Sequence, residues 1–286
     1  MWRRTKKVLK ITGGILALIL LLLMILFYRF SSPKSDKKII EQFSEMNIDV
    51  YLKHRQFKNY TYRVLAFQKE IDTTLPIIVF IHGSIGSSLD FKRYLSDPEI
   101  NNNSNLISYD RIGYGIHHTG HVMESIAYES ELLDELLSGF DKSNIILVGY
   151  SYGGPIALAS INNYKKIILL APAVYSKVEP LPWALNLYKW KASRWLVPEL
   201  WQAASKEKLS HKSDLQKFEA QWNRNPSQII SVHGDQDWIV PIENSFYLGE
   251  NFSSEQFELV TLNNAGHGLI WSNFDEIKKI ILQQLK

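Results

Sequence analysis

Three residue types that together make a hydroxyl nucleophilic occur along this chain in the order serine, aspartate, histidine. Ser151 lies in Gly149-Tyr150-Ser151-Tyr152-Gly153, Asp235 and Asp237 lie in His233-Gly234-Asp235-Gln236-Asp237, and His267 lies in Asn264-Ala265-Gly266-His267-Gly268. A serine hydroxyl is a weak nucleophile near neutral pH and needs a general base. Histidine supplies the base, and a carboxylate fixes its tautomer and steadies the imidazolium. Small residues two before and two after the serine allow the close backbone approach of a sharp turn, and Gly149 and Gly153 provide them. By position alone, Asp235 and Asp237 both qualify as the acid. Attack on a carbonyl also needs two donors for the developing oxyanion. The backbone N–H of Tyr152, next to the serine, is one candidate. Ser84, in the loop His82-Gly83-Ser84-Ile85-Gly86, is the other, and His82 reads as a structural residue of that loop.

These residues need a scaffold that brings distant segments to one edge. Short apolar, β-branched runs at 77–81, 106–109, 145–148, 167–170, 229–232 and 257–260 read as strands, most of them buried on both faces. Helical patterns fall between them at 124–138, 155–162 and 274–285. Strand–helix alternation predicts an α/β fold with a mainly parallel sheet, and 60–67 reads as an antiparallel edge strand. Ser151 then sits between a strand and a helix, and His267 between the last strand and the last helix. The stretch 173–225 breaks the rhythm and holds five of the eight tryptophans, which suggests a helical cap with aromatic packing over a pocket.

The chain resembles the α/β-hydrolase superfamily over about residues 57–286. The likeness rests on Ile81-His82-Gly83, on Asp110-Arg111-Ile112-Gly113-Tyr114-Gly115, on the serine turn, on 234–241 and on Gly266-His267. It implies an α/β-hydrolase fold with helices on both sheet faces and a helical cap. It also implies Ser151, Asp237 and His267 as catalytic residues, because the family's acid precedes x-x-V-P, here Asp237-Trp238-Ile239-Val240-Pro241. Asp235 is the alternative acid, and Asp110 and Arg111 are bracing residues. Relatives that open epoxides or displace halide carry aspartate where this chain has Ser151. The expected activity is therefore hydrolysis of an ester or related acyl bond, of carboxylesterase or lipase type, through an acyl-enzyme. C–C bond hydrolysis, an aminopeptidase or a lactonase on the same triad are alternatives, as is a non-catalytic ligand-binding protein. No cofactor is expected.

Residues 11–27 carry no charge and, with Val8 and Leu9, approach the roughly 20 residues that cross a bilayer. The run is longer than a signal-peptide core and lacks a small-x-small cleavage site, which favours a membrane anchor. Residues 1–38 form the expected cytoplasmic tip, anchor and linker, and 39–286 the hydrolase domain, with the N-terminus cytoplasmic and the catalytic domain across the membrane. This orientation follows from five basic residues before the span against four after it. The first 38 residues hold nine Lys+Arg and one Asp, while the rest hold 23 basic and 28 acidic residues. The net charge of +3 thus belongs to the membrane flanks, and no nucleic-acid partner is expected. The substrate is expected to be small or lipid-like and apolar. Absence of cysteine excludes disulfides and thiol chemistry. His117, His118 and His121 are read as loop residues near the pocket rim rather than as metal ligands, because no carboxylate accompanies them at a ligating spacing.

Overall fold

A computed structural model describes residues 2–285. Met1 and Lys286, the outer ends of the two expected ranges, lie outside the described residues, as do the side chains of Arg3, Arg4 and Val8. Eight strands form one sheet: β1 (Tyr51–Phe57), β2 (Tyr60–Ala66), β3 (Ile77–Ile81), β4 (Asn105–Tyr109), β5 (Ile145–Tyr150), β6 (Lys166–Leu170), β7 (Ile229–Gly234) and β8 (Phe257–Leu262). Their order is β1-β2-β4-β3-β5-β6-β7-β8. The pairs β1–β2 and β2–β4 are antiparallel, and the other neighbours are parallel. The α/β expectation and the mostly parallel sheet are as the sequence indicated.

Side chains alternate across each strand, so the apolar runs feed two cores. Val79, Ile81, Ile145 and Leu147 face one core, together with Ile126 and Leu133 of helix Ile126–Leu136 and Ile156 of helix Gly153–Ala159. Ile78, Phe80, Ile146 and Val148 face the other, together with Ile277 and Ile281 of helix Phe274–Gln283. Three features differ from the expectation. β2 is not the edge, because β1 pairs along its whole length. The sequence of β1, Tyr-Leu-Lys-His-Arg-Gln-Phe, lacks an apolar run because this outer strand has little to bury. β8 is the opposite edge and only half-buried.

The third difference concerns the linker expected at the end of residues 1–38. Helix Asp36–Ser44 begins inside that stretch and buries Ile39 and Phe43 in the second core. Arg63 on β2 ties it down. The guanidinium donates to Asp36 Oδ1 (2.9 Å) and to the Lys34 carbonyl (2.8 Å), and on its other side to buried Asp110.

Before this lies one helix, Trp2–Phe30, whose 29 residues span about 44 Å at 1.5 Å per residue. Within it, the most apolar 18-residue stretch has a mean hydropathy of 2.7, and nothing in the molecule buries that stretch. By length and composition it is a candidate membrane span. Between β6 and β7 the chain makes helices Leu185–Lys189 and Glu199–Leu215 and several 3-10 turns, with no strand. This insertion meets the end of the N-terminal helix. The rings of Phe27 and Trp201 lie 5.3 Å apart, Tyr28 Oη donates to the Trp195 carbonyl (2.5 Å), and Trp201 Nε1 donates to Ser31 Oγ (2.9 Å).

Candidate active site

The turn from β5 into helix Gly153–Ala159 holds Ser151 at φ +53°, a left-handed conformation that costs a non-glycine residue free energy. The local packing leaves little alternative. A Cβ at Gly149 would sit 2.5 Å from the Gly153 carbonyl oxygen and one at Gly153 would sit 2.1 Å from the Ile81 carbonyl oxygen, so the turn closes on itself and on β3 only because both residues lack side chains. The serine is thereby lifted off the end of the strand while remaining largely buried.

The loops that follow β7 and β8 come to the same sheet edge. His267 Nε2 lies 3.1 Å from Ser151 Oγ, and Nδ1 lies 2.7 Å from Asp237 Oδ2. The second carboxylate oxygen, Asp237 Oδ1, accepts the backbone N–H groups of Ile239 and Val240, each at 2.9 Å. Burial alone would raise the Asp237 pKa, but the adjacent His233 ring, the hydrogen bond and charge of His267 and the Val240 N–H together hold it well below the usual carboxylate range. Asp235 stands exposed beside this arrangement, with no hydrogen bond to His267.

Tyr150, inside the serine motif, was not singled out from sequence. Its hydroxyl donates to the His267 carbonyl (2.9 Å) and its ring stacks on the imidazole at 5.1 Å. Its position immediately before the serine, on the last residue of a strand, was the available signal. Gly83 and Ser84 approach from the β3 loop, where a Cβ on Gly83 would meet Ser151 Cβ at 2.9 Å. Among the described residues, no carbonyl or side chain takes the N–H of Tyr152 or of Ser84. Ser84 Oγ bonds to Tyr114 Oη (2.8 Å), which donates to Glu207 Oε2 (2.6 Å).

Behind this loop Arg111 is fully buried between two carboxylates. It donates to Glu207, and Glu129 lies 3.7 Å away. One guanidinium therefore serves two acids. Burial, opposed by Arg111 and reinforced by Glu207, pushes the Glu129 pKa up to about 7. His82 bonds to the Gly83 carbonyl and to the Arg111 N–H, and burial together with Arg111 keeps its pKa well below the ordinary value. It thus braces the loop as a neutral ring.

Ser84, Ser151, Tyr152 and His267 share the wall of one cavity of about 510 Å³. The insertion supplies most of the remaining lining, including Leu185, Leu187, Leu196, Val197 and Trp201, and the N-terminal helix supplies Phe27. Trp183, Trp190 and Trp195 of the same insertion are exposed. The histidine side chains turn toward the outer strands. His117 Nε2 contacts His54 (2.8 Å) and His121 Nε2 contacts Tyr60 Oη (2.9 Å), both on the β1–β2 hairpin, and none of the three lines the cavity. Their polar partners lie on that outer hairpin, while the loop backbone meets the insertion, where Lys206 Nζ donates to the Gly120 carbonyl (3.0 Å).

The chain belongs to the alpha/beta hydrolase family, whose model matches residues 78–279. No curated protein matches it by sequence. Among solved structures it is similar to an esterase from Exiguobacterium antarcticum, with 15% identity and a TM-score of 0.64 over 81% of this chain and 98% of that one. It is also similar to 2-hydroxy-6-oxo-6-phenylhexa-2,4-dienoate hydrolase from Rhodococcus sp. strain RHA1, with 18% identity and a TM-score of 0.63 over 83% and 99%. A third is a membrane phospholipase A described as a bacterial virulence factor, with 14% identity and a TM-score of 0.65 over 96% and 97%. At these identities the likeness is one of fold.

Proposed function

We propose that this protein is a membrane-anchored serine hydrolase that cleaves esters of lipid-like, apolar substrates through an acyl-enzyme. The supporting observation is the hydrogen-bonded series Ser151–His267–Asp237 opening onto an apolar cavity. In the proposed reaction His267 Nε2 takes the Ser151 proton as Oγ attacks the substrate carbonyl. The N–H groups of Tyr152 and Ser84 receive the oxyanion. The imidazolium, steadied by Asp237, protonates the leaving alcohol. A water deprotonated by His267 then attacks the acyl-enzyme and releases the acid, restoring Ser151.

The lipid-like substrate and the anchor are one reading. The N-terminal helix spans the bilayer with its N-terminus in the cytoplasm, and 39–286 is the catalytic domain on the far side, capped by about 173–225. In favour of an uncleaved anchor, Phe27 lines the cavity, so removing the helix would open the wall. Exposed tryptophans next to the end of the span suit the headgroup region, where an apolar ring with one polar edge is best accommodated. We expect kcat/KM of the full chain in vesicles to rise by about tenfold or more from acetyl to octanoyl esters. Each buried methylene contributes about 0.8 kcal/mol, and part of that gain is already made when the substrate partitions into lipid. A steady decline with acyl length, indifferent to vesicles, would contradict a lipid-like substrate.

A further inference from the structure

The peptide unit between Gly83 and Ser84 carries the Ser84 N–H, and it is held from two sides. Its carbonyl, that of Gly83, accepts from Arg111 Nη1 (3.2 Å) and from His82 Nδ1 (2.7 Å). This peptide is trans. Such a unit is planar, with its N–H pointing opposite to its carbonyl, so a fixed carbonyl fixes the direction of the N–H. On the other side, Ser84 Oγ bonds to Tyr114 Oη (2.8 Å). Both holds lead to one residue. Glu207 Oε1 accepts from Arg111 Nη2, and Oε2 accepts from Tyr114 Oη (2.6 Å). A phenol has one proton to give, so Tyr114, donating to Glu207, accepts the Ser84 O–H. Arg111, Tyr114 and Glu207 are each at most 1% exposed, and solvent screens them little. Arg111 and Tyr114 follow β4, whereas Glu207 lies on helix Glu199–Leu215 of the insertion. Arg111 also has Glu129 at 3.7 Å, so loss of Glu207 leaves the buried guanidinium with an acid beside it.

We propose that Glu207 is a positioning residue for the oxyanion hole: through Arg111 and Tyr114 it sets the Gly83–Ser84 peptide so that the Ser84 N–H faces the oxyanion formed at Ser151. The insertion thus completes the catalytic site as well as walling the cavity. This rests on the hydrolase reading, with Ser84 as one of the two donors. Losing one such donor costs about 10²–10³-fold in kcat, and a donor turned out of line forfeits part of that. The donor acts on charge that develops only after substrate is bound, so KM is spared.

The test uses full-length Glu207→Met, which keeps a long side chain suited to a helix and accepts from neither partner. We expect kcat on a short chromogenic ester to fall about tenfold or more, with KM within about threefold and an unmoved pH profile, because Ser151, His267 and Asp237 are untouched. The deciding readout compares the ester with its thionoester, in which sulfur replaces the carbonyl oxygen. Sulfur is a weak acceptor, so an aligned donor favours the oxygen compound. The parent protein should prefer the oxygen ester about tenfold more than hydroxide does, and in Glu207→Met the preference should fall to near that of hydroxide. Should that variant not fold, Tyr114→Phe, which keeps the Arg111–Glu207 ion pair, should move the same ratio in the same direction. A ratio unchanged in the folded variant, whether or not kcat falls, overturns the positioning role and leaves the triad standing. A parent protein no more selective than hydroxide overturns the oxyanion donors as well. Failure to turn over either ester, with no covalent labelling at Ser151, overturns the hydrolase reading itself.

Discussion

Asp237→Asn is expected to lower kcat on a short chromogenic ester by about 10⁴-fold while leaving the fold intact. The size follows from which atoms the replacement must satisfy. Two backbone N–H groups, from Ile239 and Val240, already claim the Oδ1 position and require an oxygen there. The asparagine amide nitrogen is then forced to face His267 Nδ1, where Asp237 Oδ2 now stands at 2.7 Å. A donor in that position puts the imidazole proton on Nε2, the nitrogen 3.1 Å from Ser151 Oγ, and an N–H cannot take the serine proton. Asp235→Asn should stay within about twofold of the parent rate, since the Asp235 side chain is exposed and has no bond to the histidine. Steady-state kinetics of the two purified variants, with circular dichroism as the check on folding, decides between the acids. A loss confined to Asp235→Asn would reverse the assignment.

The second large effect is on folding. A Cβ on Gly153 would sit 2.1 Å from the Ile81 carbonyl oxygen and 2.8 Å from its carbon, both backbone atoms of a central strand. Neither can move without disturbing β3, which is paired on both sides along its length. We expect Gly153→Ala to cost about 3 kcal/mol or more, the upper end for overpacking a well-filled core, and to appear as lost soluble protein or a strongly lowered urea midpoint. A midpoint shift corresponding to under about 1 kcal/mol would mean that the serine turn is looser than the geometry indicates.

These two positions also show what the sequence made legible. The motif around Ser151 could be read because a turn this tight admits few residue types, so glycines at 149 and 153 are themselves a record of backbone approach. The strands β3, β5 and β6 were legible because burial on both faces demands uninterrupted apolar runs. β1 was not, because an outer strand with charged side chains carries no such demand. The first turn of helix Asp36–Ser44 was hidden for a related reason. Its buried residues, Ile39 and Phe43, are too few to mark a period, and its position depends on Arg63, distant in sequence. The choice between Asp235 and Asp237 was open on spacing and came only from resemblance, since two residues in one loop differ in direction rather than in place. Arg111 and Glu207 are 96 residues apart, the second in a segment without strand periodicity, and nothing short of the folded insertion brings them together.

The central claim is that Ser151 is the nucleophile. The most direct measurement is labelling of the full-length protein in membranes with a fluorophosphonate, followed by mass spectrometry of the modified peptide. We predict a single phosphonylated residue at Ser151, with no labelling of Ser151→Ala. Equal labelling of that variant, or an adduct at another serine with Ser151 unmodified, would contradict the claim.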